Sequence, residues 1–253
     1  MSTASRLRIV LVGTQHPGNI GAAARAMKTM GLARMVLVAP EKPLDEAACR
    51  RSAGAEDVMG DAPVLATLAE AVADCRLVLG CTARSRRVAL EELLPRDAAE
   101  KAVASAAEGG EVAVVFGRER TGLTNEELQL CHLAVHVPSD PAFSSLNLAA
   151  AVQVLAYELR LALLAGDVDG VPASGDARQP ARQPATHAQM EGFFGQLADT
   201  LDAIDFHKGR APDSVLRKLR RIFLRAALGE GEVRLLRGIL ADAQRMAGMA
   251  KNG

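Results

Sequence analysis

The sequence predicts an α/β fold, a parallel sheet flanked by helices, with a small α-helical C-terminal extension. Three observations carry that reading. Short β-branched runs alternate with longer helical patterns through the first two-thirds of the 253 residues. Those runs are apolar on both faces, as strands are when helices cover the sheet on each side. Near residue 165 the periodicity stops abruptly and a glycine- and proline-rich stretch begins.

Taken in order, strands are expected at 8–12 (RIVLV), 33–39 (ARMVLVA), 75–81 (CRLVLGC), 111–117 (EVAVVFG) and 133–137 (LAVHV). Helical patterns lie between them at 19–31, 45–53, 64–73, 97–107 and 125–131. A long helix is expected over 145–165, because Leu148, Val152, Leu155, Leu159 and Leu163 recur at spacings of three and four and draw one apolar stripe. The domain division follows: 1–165 an α/β domain, 166–186 a flexible linker, and 187–253 a helical module.

The totals narrow the functional classes. Thirty basic residues balance thirty acidic ones, so any polyanion site must be a local patch. Aromatics make up only 3%, which disfavours base stacking as the main mode of binding. Cys49, Cys75, Cys81 and Cys131 show neither a CxxC pair nor zinc-like spacing and read as reduced thiols in a cytoplasmic protein, with no metal expected. No membrane span is expected, since Gln153, Glu158 and Arg160 interrupt the most apolar stretch.

Three motifs carry chemistry. The first is HPGNIGAAARAMKTMG, after the first strand. Gly13 and Gly18 have Walker A spacing, but Asn19 and Ile20 stand where lysine and a hydroxyl are required, which makes a nucleotide hydrolase a remote rival. The dinucleotide fingerprint also fails, with only Gly18 and Gly21 in place. Asn19 is expected at the helix N-cap and Arg25 within the first two turns, among small alanines. Two readings of Arg25 stand together: a cation awaiting an anion, or one that snorkels to water. The second motif is FGRERTGLTNEEL, in which Gly117 and Gly122 frame Arg118, Glu119 and Arg120, and Thr124 with Glu127 forms a capping box. Its place after a buried strand is where parallel sheets bind ligands. The third is SSLNLAAAVQVLAYE, with Ser145 expected to cap the long helix and Asn147 in its first turn.

Together these stretches resemble the three signature motifs of the SpoU branch of the SPOUT RNA methyltransferases, and they look most like the TrmJ type, which methylates tRNA ribose. The resemblance covers most of 6–165, and HKGRAPDSVLRKLRRIFLRA with EVRLLRGIL resembles that type's helical extension. It implies a C-terminal trefoil knot, a homodimer formed through the knot, and S-adenosyl-L-methionine as methyl donor. The donor would be held by Cys81, Thr82, Ala83, Gly117, Val137, Ser144, Ser145, Leu146 and Asn147. Arg25 would hold a phosphate and stabilise the developing alkoxide, with Asn19, Glu119 and Ser145 as the other catalytic residues. The implied reaction is 2′-O-methylation of cytidine or uridine at nucleotide 32 of tRNA, with no part for DNA or membrane. The same family leaves two rivals, a ribosomal RNA ribose methyltransferase and a non-catalytic RNA-binding homologue.

RNA contacts are expected from Arg84, Arg86 and Arg118, and from the tail's Lys208, Arg217, Arg220 and Arg221. Between Lys208 and Arg225 seven cations face Asp213 alone, a net of plus six on a neutral chain. The plain alternative is a solvated helix face. His132 and His136 lack a matched carboxylate and read as structural.

Overall fold

The computed structural model describes residues 2–83, 90–168, 184–207 and 212–251. The chain falls into two compact units, Met1–Ser174 and Gly175–Gly253.

The first unit is a seven-stranded, wholly parallel sheet. Its strands are β1 (Leu7–Val12), β2 (Arg34–Val38), β3 (Val64–Leu65), β4 (Cys75–Cys81), β5 (Glu92–Leu93), β6 (Glu111–Phe116) and β7 (Leu133–Val135), in the order β3-β2-β1-β6-β4-β7-β5. Its helices are α1 (Pro17–Thr29), α2 (Glu46–Ser52), α3 (Glu56–Gly60), α4 (Leu68–Val72), α5 (Pro95–Ala107), α6 (Asn125–Gln129) and α7 (Leu148–Val168). All six residues of β1 are buried; five are apolar, as a strand covered on both faces requires, and Arg8 is held by Asp74 and Glu111. One core layer joins Ile9, Leu11, Met27, Leu155 and Leu159; the layer on the other side holds Val10, Val12, Val78, Val115 and Leu128.

Two two-residue strands, β3 and β5, escaped the sequence reading, because pairs of residues carry no alternation to detect. The helix expected over 64–73 is β3 followed by the shorter α4, which opens on a Thr67–Glu70 capping box. The membrane expectation also needs correcting: Leu148–Gly166 is long and apolar enough, by length and composition, to cross a bilayer, with mean hydropathy 1.6. Its interruptions are too few to break the window. The helix instead packs along α1 and α5, burying Leu148, Val152, Leu155, Leu159 and Leu163.

The second unit contains α8 (His187–Ala203), α9 (Pro212–Arg225) and α10 (Glu230–Lys251). Thr186 and Gln189 form a capping box that starts α8. Phe193, the most deeply buried side chain here, meets Phe223 edge-on with centroids 4.9 Å apart. The N–H of Ala185 donates to the Leu228 carbonyl at 2.9 Å and ties the entry of α8 to the approach of α10.

Candidate active site

Beyond the carboxyl ends of β4, β6 and β7 lies a cavity of about 410 Å³, within the range that takes a small cofactor. Its wall is assembled from stretches far apart in the chain. Cys81, Thr82 and Ala83 come from the end of β4, Gly117 to Leu123 from the loop after β6, Val137 from just beyond β7, and Ser144, Ser145 and Leu146 from the approach to α7. Backbone bonds hold the floor together. The Thr82 N–H donates to the Val135 carbonyl at 2.9 Å, and His136 Nδ1 lies 3.3 Å from the Thr82 carbonyl. His132 Nδ1 accepts from the Val78 N–H at 2.9 Å, so both histidines serve the sheet.

Two glycines shape the wall. A β-carbon on Gly117 would overlap the backbone of Gly122 and Leu123, so only glycine lets the loop fold back on itself. Gly122 closes that loop at φ +68°, donating its N–H to the Arg118 carbonyl at 2.8 Å. The backbone left bare at this turn can approach a ligand closely. Burial pushes the Cys81 thiol well above its usual range and keeps it uncharged.

Beside the cavity, Glu119 organises the first motif. Its carboxylate accepts from the Gln15 N–H at 2.9 Å, the His16 N–H at 3.2 Å and Asn19 Nδ2 at 2.9 Å. Burial opposes its charge, but the bonds from Asn19 and Gln15 outweigh that effect and hold the carboxyl below its usual range. Asn147 Nδ2 donates in turn to Asn19 Oδ1 at 3.3 Å. One chain of hydrogen bonds, Asn147–Asn19–Glu119, thus joins all three motifs.

Several expected placements change. The N-cap of α1 is His16, not Asn19, because Pro17 starts the helix at its preferred first position. Asn19 is instead buried in the first turn. That shift carries Arg25 into the third turn, exposed and outside the cavity lining. Ser145 does not cap α7: the helix begins at Leu148, and Asn147 Oδ1 accepts the Ala149 N–H at 2.9 Å. Asn147 likewise leaves the cavity wall, since its amide is spent on Asn19. Ser145 itself is exposed and lines the cavity.

The expected RNA contacts divide. Arg118 is a loop brace, with Nη1 3.0 Å from both carboxylate oxygens of Glu127. Arg220 binds Glu191 and lies 4.6 Å over the Phe194 ring, so it too is structural. Arg217 and Arg221 are exposed on α9 with Lys218 and Arg225. Arg84, Arg86 and Lys208 lie outside the described residues. Sequence reasoning passed over Arg120 and Thr121 as cavity residues, although the glycines on either side of them were the available signal. The Asn147–Asn19 contact had no signal, being 128 residues apart.

Known proteins resemble this chain along nearly its whole length. The chain is 46% identical over 246 residues to the tRNA (cytidine/uridine/adenosine-2′-O-)-methyltransferase TrmJ of Pseudomonas aeruginosa, covering 96% of this chain and 95% of that one. It is 48% identical to the Salmonella choleraesuis tRNA (cytidine/uridine-2′-O-)-methyltransferase TrmJ, over 94% of this chain and 96% of the relative. The crystal structure of TrmJ from Z. mobilis superposes with a TM-score of 0.76 at 34% identity, covering 93% of this chain and 97% of that one. Residues 6–157, which hold every wall of the cavity, match the SpoU rRNA Methylase family, and 188–252, which hold the three-helix unit, match the tRNA methyltransferase TrmJ C-terminal domain. By its sheet, its three linked motifs and its helical tail, the chain belongs to the SpoU methylase family and carries the TrmJ C-terminal domain.

Proposed function

We propose that this protein methylates the ribose 2′-hydroxyl of nucleotide 32 in the anticodon loop of tRNA, acting as a cytoplasmic homodimer. As a SpoU-family enzyme of the TrmJ kind it is a tRNA 2′-O-methyltransferase that uses S-adenosylmethionine. The observation that supports the site assignment is the Asn147–Asn19–Glu119 relay, which links the three motifs and reaches the cavity wall at Glu119. The family's knot and dimer contacts would fall in the segments around β4, β6 and β7, where the sheet order is not sequential.

The chemistry follows from these residues. Gly117, Thr82, Ala83 and Leu146 would hold the donor through backbone groups and apolar contact, with Ser144 and Ser145 adding hydroxyls at the wall. When bound, S-adenosylmethionine supplies a methyl on a sulfonium, a leaving group good enough that the hydroxyl need only lose its proton. Glu119 is held ionised by three donors and is committed to positioning rather than proton removal. Arginine acts as a cation rather than a base in proteins, so Arg25 stabilises the forming alkoxide and holds the adjacent phosphate, while an RNA phosphate or a water takes the proton. The exposed cations of α9 would grip more distant phosphates.

The test is to incubate protein, labelled donor and unmodified tRNA transcripts and to map the methylated nucleotide. Label at ribose 32 supports the reading; label on ribosomal RNA alone would favour the family's other substrate class. Arg25→Ala is expected to abolish turnover with donor affinity intact by calorimetry. Parallel loss of both would refute the role given to Arg25.

A further inference from the structure

Gly18 and Gly21 have no part in the donor cavity, yet both are tightly used. A β-carbon on Gly21 would overlap the Ala48 carbonyl of α2, and one on Gly18 would stand 3.0 Å from Cδ, 3.1 Å from Nε and 3.3 Å from Cζ of Arg51. The pairing is antiparallel: Gly18 and Gly21, three apart on α1, meet Arg51 and Ala48, three apart on α2. These glycines therefore seat α2 so closely that the Arg51 side chain lies across the first turn of α1.

The cations of α1 and α2 are Arg25, Lys28, Arg50 and Arg51. Lys28 is paired with Asp57 at 2.8 Å, and Arg50 with Glu46 at 3.3 Å. Arg25 and Arg51 have no ion pair among the described residues, and both are exposed. They also share a face. Gly18 and Arg25 are seven residues apart, about two helical turns and roughly 10 Å along the axis, so both lie on the face of α1 against which Arg51 rests. Two cations without ion pairs among the described residues thus share this face of α1, an arrangement suited to tracking a phosphodiester backbone.

We propose that Arg51 is a substrate-binding residue that contacts a tRNA phosphate next to the one held by Arg25, with Gly18 as the seat that aims it. This rests on the tRNA methyltransferase reading above and extends it to a residue outside the three motifs.

The test is a salt titration of tRNA binding by full-length wild type, Arg51→Ala, Arg51→Lys, Gly18→Ala and the Gly18→Ala/Arg51→Ala double variant, with donor binding measured alongside. Arg51→Ala should weaken tRNA binding roughly three- to ten-fold and reduce the slope of log affinity against log salt by about one, as for a lost phosphate contact. Donor affinity should not change, and Arg51→Lys should recover most of the binding. Gly18→Ala should weaken tRNA binding in the wild-type background and add nothing once Arg51 is gone. If wild type binds tRNA and Arg51→Ala matches it in affinity and slope, the inference is wrong. Equal losses of donor and tRNA affinity in Arg51→Ala would also overturn it, marking a packing role. A wild type that neither binds nor methylates tRNA would instead bring down the parent reading.

Discussion

The Glu119 carboxylate accepts three hydrogen bonds from a turn a hundred residues away, and this sets what its loss should do. Glu119→Gln places an amide against N–H donors, and bonds of this charged kind contribute about 1.5–3 kcal/mol each in favourable cases. The variant is expected to lose about 2 kcal/mol of stability by urea denaturation and at least ten-fold in kcat/KM. The pH dependence has a definite sign. The folded carboxyl sits below its unfolded value of about 4.3, so its contribution is complete above that pH and fades as pH falls through the lower folded value. The stability gap between wild type and Glu119→Gln should stay constant above about pH 5 and close in acid. An unchanged gap at low pH would show that the three bonds carry no preference for the charged form. At this scale the sequence was legible in part: Glu119, framed by glycines after a buried strand, could be picked out, but its partners could not. Nothing local in HPGNIG says that the backbone of Gln15 and His16 needs a distant anion.

Among the elements, the loop after β6 and the entry of α7 decide whether the cavity proposed for the donor exists. Gly117→Ala forces backbone apart, since the added carbon would overlap Gly122 and Leu123. Overpacking of that kind costs about 1–3 kcal/mol. Donor affinity should fall at least ten-fold by calorimetry, while the C-terminal unit's thermal transition is unmoved. Retained donor binding would mean that this turn does not form the wall. The strands and the long helix were readable because burial on both faces, or on one stripe, leaves a periodic trace in β1, β6 and α7. Helix starts were read less well. Asn19 and Ser145 are good capping residues by type, yet Pro17 and Asn147 set the actual boundaries, and each displaced residue turns toward a neighbour or the cavity instead.

For the whole molecule, charge is distributed by task. The chain is neutral, and α9 presents Arg217, Lys218, Arg221 and Arg225 without ion pairs among the described residues. Changing these four to glutamine should weaken tRNA binding and flatten its salt dependence by up to about four counterions, sparing donor affinity. A flat response would return α9 to the role of a solvated face. Removing 166–253 should weaken tRNA binding in the same way and leave the proposed dimer intact by sedimentation. The basic tail was visible as composition; which cations stay free was not, because Arg220 is claimed by Glu191 and Phe194, contacts that only folding creates.

The sheet order has one more outcome. Because β4 lies between β6 and β7, and the cavity wall runs from Cys81 to Ala151, the pocket is closed by chain that is synthesised late. A nascent polypeptide still short of residue 151 lacks part of that wall. The bond from Asn147 to Asn19 can therefore form only after the start of α7 has been made.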